Sequence, residues 1–268
     1  MRVGAIVLAG GESRRMGRPK AALDWHGSTL ARRAVGIVGR VVDRPVVVVR
    51  ATGQQLPAMP AGVEIAEDAR PARGPLQGIA AGLAAVGGRA DAVFVCGVDA
   101  PLLHPALIAA VISALADDEQ IDVALPVAHG FAHPLAAAYR TAIADRLEDL
   151  LAHDILGTRP LMERCRVRRL DEAALLADPA VARLDPQLDS LLNLNEPAEY
   201  EAAHGRPPPR IEVVGRGHLR AATLGEAGVG GATINGRNAS DPEEPLVTGD
   251  VVAFVAVGRD AGDSGAVS

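Results

Sequence analysis

An α/β fold, a three-layer Rossmann-like sandwich around a mostly parallel sheet, is predicted by three features of the sequence. Short β-branched runs recur along the first 170 residues, Ala/Leu-rich stretches of helical length separate them, and the runs are apolar on both faces rather than alternating. Strands buried on both faces need a helical layer above and below, and helical crossovers between successive strands make them parallel. Apolar residues make up 49% of the chain and aromatics 2%. The core is therefore expected to be Ala, Val, Leu and Ile, a composition suited to helices layered on a sheet.

The elements follow in order. Val3–Leu8, Pro45–Val49, Val63–Ala66, Ala92–Val98 and Val123–Val127 read as strands. A first helix is expected from Ser28, a good N-cap, to about Val42. A second follows Gly74-Pro75, where proline suits the opening turn, and a third follows Pro105 and runs through Leu115. Beyond Pro126, His133–Tyr139 reads as a strand, Thr141–His153 as a helix and Val167–Leu170 as a short strand. The run Gly205-Arg206-Pro207-Pro208-Pro209 reads as a linker, since consecutive prolines favour an extended chain without backbone donors. The expected organisation is a first domain over 1–204, a Pro-rich linker at 205–210, a β-rich module at 211–258 and a flexible tail at 259–268.

A formal charge of −6 argues against a nucleic-acid platform, which normally carries clustered excess Lys and Arg. Cys96 and Cys165 stand far apart without metal-type spacing, so neither a disulfide framework nor a zinc site is expected. The run Val3–Leu8 is too short for a signal core or a membrane span, and the chain reads as cytoplasmic, with no membrane partner.

The stretch Leu8-Ala9-Gly10-Gly11-Glu12-Ser13-Arg14-Arg15-Met16-Gly17-Arg18-Pro19-Lys20 follows the first strand, a preferred ligand crevice in an open α/β sheet. Gly10 and Gly11 let backbone N–H groups approach a base or phosphates, and Arg14, Arg15, Arg18 and Lys20 add positive charge where a triphosphate would lie. Neither the Walker A nor the dinucleotide spacing is present. Asp99 ends a buried-looking strand before Pro101. It reads either as a turn-forming carboxylate or as a ligand of Mg²⁺, which commonly takes only one or two protein carboxylates. Asp68 ends another strand, and a surface pair with Arg70 or Arg73 is its plainer reading. Gly74 and Gly78 bracket a helix start, where N–H groups can meet an anion or simply cap the helix. His133 and Asn193 or Asn195 are, by themselves, as readily a packed histidine and a helix cap.

With those motifs in order, residues 1–204 resemble the molybdenum cofactor guanylyltransferases, whose loop signature is close to L-A-G-G-x-S-x-R-M-G-x-x-K. The resemblance continues through Gly74-Pro75-Leu76-Gln77-Gly78, Cys96-Gly97-Val98-Asp99-Ala100-Pro101, His133-Pro134-Leu135 and Asn193-Leu194-Asn195-Glu196-Pro197. It implies a nucleotidyltransferase that moves GMP from GTP to molybdenum-loaded molybdopterin. Leu8, Ala9, Gly10, Gly11, Lys20, Asp68, Gly74 and Asp99 would bind the nucleotide, Arg15, Lys20 and Asp99 would be catalytic, and Asp99 would hold Mg²⁺. His133, Pro134, Asn193 and Asn195 are implied at the acceptor and the rim of the site. The second glycine of the loop leans toward guanine, because related cytidylyltransferases more often read L-A-A-G. The family's usual Asn after the second strand is absent, Val49-Arg50-Ala51 standing there instead. Cytidylyl transfer, another phosphorylated acceptor, or a non-catalytic protein that docks molybdoenzymes or cofactor-assembly proteins are the alternatives.

Ala232-Thr233-Ile234-Asn235-Gly236 and Pro245–Phe254 resemble the C-terminal half of a ubiquitin-like sulfur carrier of the molybdopterin synthase small-subunit type, which implies a β-grasp-like domain. Such carriers end in Gly-Gly, whereas Gly265-Ala266-Val267-Ser268 stands here, so the segment reads as a docking or stabilising module, or as a plain β-rich extension, rather than as a sulfur carrier.

Overall fold

The computed structural model describes residues 1–10, 17–68, 70, 74–228 and 230–255. Gly11, Arg14, Arg15, Arg73 and the expected tail at 259–268 lie outside these. The chain forms two compact units, 1–206 and 207–268.

In the first unit the strands are β1 (Val3–Leu8), β2 (Asp24–Trp25), β3 (Ser28–Thr29), β4 (Val46–Ala51), β5 (Val63–Asp68), β6 (Ala92–Gly97), β7 (Val123–Ala128), β8 (Phe131–Ala132), β9 (Ala136–Arg140) and β10 (Val167–Leu170). The helices are α1 (Leu30–Val38), α2 (Pro75–Val86), α3 (Pro105–Ala116), α4 (Ala144–Ala152), α5 (Thr158–Glu163), α6 (Glu172–Leu176), α7 (Pro179–Leu184) and α8 (Pro197–His204). The main sheet runs β10-β7-β9-β6-β1-β4-β5, with β8 paired to β7 and β2-β3 forming a separate hairpin. β1 pairs in parallel with β4 and β6, β4 with β5, and β7 with β10, while β9 runs against both β6 and β7. The sheet is thus mostly parallel, as the doubly apolar runs predict.

Side chains alternate across the sheet. Ile6, Val47, Val93 and Val95 pack with Ile79 and Leu83 of α2 and Leu147 of α4 on one face. α1 and α3 lie against the strands on the other, burying Ala5, Val7 and Phe94. Helix α2 approaches β1 very closely: a Cβ at Gly82 would stand 2.6 Å from Ile6 Cγ2, and one at Gly78 3.1 Å from Leu8 Cδ2. Gly78 is therefore explained by packing, not by an exposed anion-binding turn.

Several boundaries differ from the sequence reading for local reasons. The cap of α1 is Thr29, whose side chain accepts the Arg32 N–H at 3.3 Å, because Ser28 is already in the β2–β3 hairpin. The helix also stops at Val38 rather than Val42. The strand expected from His133 begins at Ala136, since Tyr139 donates its hydroxyl to the Pro134 carbonyl at 2.7 Å and holds 133–135 in a turn. A 3-10 turn, Thr141–Ile143, precedes α4.

The second unit contains β11 (Arg210–Val213), β12 (Gly217–Arg220), α9 (Leu224–Ala227), β13 (Ala232–Ile234), β14 (Arg237–Ala239) and β15 (Val251–Phe254). Its sheet order is β12-β11-β15-β13-β14, with β11 and β15 parallel and the other neighbours antiparallel. Ile211, Val213, Leu224, Ile234, Leu246 and Val252 form its core. Asp250 is buried but satisfied, accepting from Asn235 Nδ2 and Val247 N at 2.8 Å each. Residue 210, placed in the linker by sequence, is the first residue of β11. No helix among the described residues is long and apolar enough to cross a membrane.

Candidate active site

Parallel strands present their C-terminal ends along one edge, and Leu8, Gly97, Ala51 and Asp68 all lie there: Leu8 pairs with Gly97, and Ala51 with Asp68. Beyond this edge three separate motifs meet. Lys20, on a 3-10 turn at Lys20–Ala22, donates from Nζ to Asp99 Oδ2 at 3.2 Å and to Asn195 Oδ1 at 2.9 Å. The Leu194 N–H donates to the Asp99 carbonyl at 2.8 Å, stitching the Asn193-Leu194-Asn195 segment onto the strand end. An ammonium, a carboxylate and a carboxamide from positions 20, 99 and 195 thus share one locus on the same side of the sheet.

Each member is held by its own surroundings. The missing side chain of Gly97 is what admits Asp99: a Cβ there would collide with the carboxylate Oδ1. The turn after Asp99 is clamped twice. Arg33, buried in α1, donates from Nε to the Pro101 carbonyl, with its guanidinium 5.9 Å from the Trp25 ring centre. Ser190, fully buried, accepts the His104 N–H at 2.9 Å and donates to the Leu102 carbonyl at 3.4 Å. Asp185 Oδ2 accepts the Ser190 N–H at 3.3 Å, and burial pushes the Asp185 carboxyl above the usual carboxylate range. Asn195 stands just before the capping box that Glu196 and Glu199 form at the start of α8, and the Glu199 carboxylate accepts the N–H groups of Asn195 and Glu196 at 2.6 and 2.9 Å. Tyr200 then donates its hydroxyl to the Asp24 carbonyl at 2.6 Å, tying α8 to the β2–β3 hairpin beside Lys20.

The loop after β1 differs from the sequence expectation in one respect. The N–H groups of Ala9 and Gly10 both donate to the Val49 carbonyl, at 2.8 and 3.1 Å, so the Gly10 amide is turned into the sheet rather than toward a ligand. Gly10 is needed instead because a Cβ would stand 3.1 Å from Ala51 N. Arg15 and Gly11 lie outside the described residues. Asp68 is nearly buried at the end of β5, and its Oδ1 accepts the Arg70 backbone N–H at 2.8 Å, a turn contact rather than a pair with the Arg70 guanidinium. Gly74 caps α2 at φ 80°, a conformation that disfavours any side chain, and a Cβ would also press on the Leu156 carbonyl.

His133 and Pro134 sit in the turn between β8 and β9, where the His133 backbone bonds to Pro126 and Ala136, its ring to Ala128, and the Pro134 carbonyl accepts from Tyr139. The His133 Nε2 meets the Ala128 carbonyl at 3.0 Å, which requires the proton on Nε2. Partial burial lowers the ring's pKa, so at neutral pH His133 offers a neutral ring and not a cation. Asn193 is exposed beside Leu194. Cys96, buried in β6 with its thiol pushed up to about 12, is a core residue.

Sequence reasoning overlooked Gly97, Arg33, Ser190 and Gln54. Gln54 Nε2 donates to the Ala9 carbonyl at 2.9 Å. A glycine before a strand-end aspartate was the one legible signal among the four. A buried Arg in a Leu-Ala-Arg-Arg-Ala helix and a Gln in a Gly-Gln-Gln loop carry none.

Comparison with known proteins shows the family. Residues 5–172 match the model of the MobA-like NTP transferase domain. A probable molybdenum cofactor guanylyltransferase of Mycobacterium avium is 40% identical over 183 residues, 66% of this chain and 90% of that one. One from Mycobacterium tuberculosis is 44% identical over 149 residues, 54% and 72% respectively. Among solved structures, molybdopterin-guanine dinucleotide biosynthesis protein A from Archaeoglobus fulgidus shares the fold at a TM-score of 0.59 and 23% identity, over 76% of this chain and 97% of that one. A 4-diphosphocytidyl-2C-methyl-D-erythritol synthase from Anaerococcus prevotii does so at 0.52 and 12%, over 76% and 96%. With more than half its length under the family model and a strand-end lysine–aspartate–asparagine cluster at the expected edge, the chain belongs to the MobA-like NTP transferases.

Proposed function

We propose that the chain transfers GMP from GTP to the terminal phosphate of molybdenum-loaded molybdopterin, releasing pyrophosphate and forming the guanine dinucleotide cofactor. The observation that carries this reading is the meeting of Lys20, Asp99 and Asn195 beyond the C-terminal edge of a parallel sheet. Relatives at 40% and 44% identity named as molybdenum cofactor guanylyltransferases support the choice of nucleotide and acceptor.

An oxygen of the acceptor phosphate forms a bond to the α-phosphorus as the bond from that phosphorus to the β-phosphate oxygen breaks. The acceptor is already an anion, so no strong base is required, and positioning with charge neutralisation governs the rate. The Lys20 ammonium has three donors on a flexible stem. It can turn from Asp99 and Asn195 toward phosphate oxygens while staying in the same locus. Asn195, fixed by Glu199, holds the lysine's position from the other side. Arg15 would add a second cation to the phosphates. Leu8, Ala9 and Gly10 would line the base, with Gly11, Asp68 and Gly74 beside the nucleoside and phosphates. His133, Pro134 and Asn193 would form the acceptor rim.

The Asp99 carboxylate, a hard oxygen donor with its Oδ1 lodged over Gly97, fits Mg²⁺, which takes one or two carboxylates and completes its shell with phosphates and water. Bound there, Mg²⁺ would supply charge neutralisation on the α-phosphate and the departing pyrophosphate. The second unit's order, with its first and last strands parallel at the centre and a short helix between hairpins, supports a β-grasp reading, and with it we assign the unit a docking role toward molybdoenzymes or cofactor-assembly proteins.

A nucleotide panel tests the reading. With molybdenum-loaded molybdopterin present, GTP is expected to support dinucleotide formation and CTP and ATP to support little. Equal or better use of CTP would overturn the choice of base.

A further inference from the structure

Four hydrogen bonds converge on Gln54, a half-buried residue after β4. Its N–H closes a turn onto the Ala51 carbonyl at 3.0 Å, through Gly53 at φ 75°. Its carbonyl accepts from Arg50 Nη1 at 3.0 Å, and the same guanidinium binds Glu67 on β5 at 2.7 Å. The side chain is then fully oriented: Oε1 accepts the Ala51 N–H at 3.0 Å, and Nε2 donates to the Ala9 carbonyl at 2.9 Å. The reverse orientation of the carboxamide would face N–H to N–H and carbonyl to carbonyl, so the network leaves one choice.

Ala9 is the first residue past β1, and with Gly10 it makes a two-to-one contact on the Val49 carbonyl. Gln54 thus reaches through its side chain to the backbone of the Leu8–Gly10 segment. It does so from a turn that is itself braced by Arg50 and by the Thr52 hydroxyl on the Asp68 carbonyl at 3.1 Å. The ends of β1, β4 and β5 are locked to one another through these contacts before any ligand arrives.

We propose that Gln54 is a positioning residue for nucleotide binding. By holding the Ala9 carbonyl while Val49 holds the Gly10 N–H, it fixes the peptide between Ala9 and Gly10 as a preset wall of the base site, which meets the purine by packing rather than through that peptide's own polar groups. Its carboxamide reaches from the third residue past the end of β4 back to the first residue past β1. The inference rests on the reading that Leu8–Gly10 lines the base. Because the contact is made to backbone before ligand enters, its removal acts on ground-state affinity and leaves the phosphate chemistry at Lys20 and Asp99 intact.

The test uses the full chain with Q54E and Q54A. Q54E keeps the volume and the acceptor for Ala51 but sets a carboxylate against the Ala9 carbonyl; Q54A removes both contacts. GTP binding in the presence of Mg²⁺ is measured by calorimetry, and transfer kinetics give kcat and KM separately. The expected result is an approximately tenfold rise in Kd and KM in both variants, about 1.4 kcal/mol, with kcat within twofold of wild type. Should Q54A fail to fold, Q54E alone carries the test. Unchanged GTP affinity in folded Q54E overturns the proposal, as does a fall in kcat with KM unchanged. If the wild-type protein binds CTP in preference to GTP, the guanine reading fails on its own. The ratio of Q54E to wild type, read on CTP, then still decides the role of Gln54.

Discussion

Replacing Lys20 by Met keeps an unbranched stem and removes the ammonium, and the structure separates what this does to stability from what it does to rate. In the folded protein Nζ contacts Asp99 Oδ2 at 3.2 Å and Asn195 Oδ1 at 2.9 Å, and the Lys20 and Asp99 side chains are 16% and 24% exposed. An ion pair with that much solvent contact contributes roughly 0–1 kcal/mol net, since desolvation and side-chain ordering offset most of the Coulomb attraction. The melting temperature should therefore fall by no more than about 2–4 °C, the shift expected per kcal/mol for a domain of this size. The transition state asks more of the same group, because charge grows on the departing pyrophosphate in a site where one preorganised donor is worth about 2.7–4 kcal/mol. Turnover should drop by about 10²–10³. Thermal melts paired with steady-state transfer at saturating GTP read both quantities. A folded K20M with turnover within twofold of wild type would remove the lysine from the mechanism. A loss of several kcal/mol of stability would show that it is mainly structural.

Other perturbations reach the same site by different routes. Asp99→Asn should shift the magnesium dependence of turnover to higher concentration; an unchanged titration contradicts the metal assignment. Gly97→Ala places a Cβ on the Asp99 carboxylate and should cut activity sharply while β6 stays paired with β1 and β9, which circular dichroism and kinetics together can check. Ser190→Ala strands the buried His104 N–H, at a cost of about 1–3 kcal/mol, visible as a lower urea midpoint; an unchanged midpoint would show that His104 finds another acceptor. Burial raises the Asp185 carboxyl, so the native state binds its proton more tightly than the unfolded chain does. This contribution to stability is fully present below the ordinary carboxylate pKa and is lost as pH rises through the raised one, and Asp185→Asn should flatten that slope.

How much of this was legible in the sequence depends on whether a residue's role was local. The doubly apolar runs at Val3–Leu8 and Ala92–Gly97 specify buried parallel strands, and the glycine-rich basic stretch right after the first strand pointed to the C-terminal edge of the sheet, where Lys20 meets Asp99. Lys20, Asp99 and Asn195 stood out as motif positions, but nothing in their spacing placed one ammonium between the other two side chains. Long-range pairing hid the rest. Ser28 and Thr29 are equally good caps, and only the pairing of β2 with β3 selects the second. Gln54 and Ser190 act across 45 and 86 residues respectively, onto Ala9 and His104, through contacts that leave no periodic trace. Gly10 looked like a donor to ligand, yet its amide extends the ladder to Val49 because Ala9 and Gly10 share one carbonyl.

The central claim is that a GTP molecule is cleaved between its α- and β-phosphates by attack of the acceptor phosphate. Transfer with GTP labelled in parallel on the α- or the γ-phosphate tests it most directly, using the full chain, Mg²⁺ and molybdenum-loaded molybdopterin. The account predicts the α label in the dinucleotide and the γ label in pyrophosphate, in equal amounts and only with acceptor present. Label that stays in GTP in a folded protein, or γ label that appears in the cofactor, would contradict it.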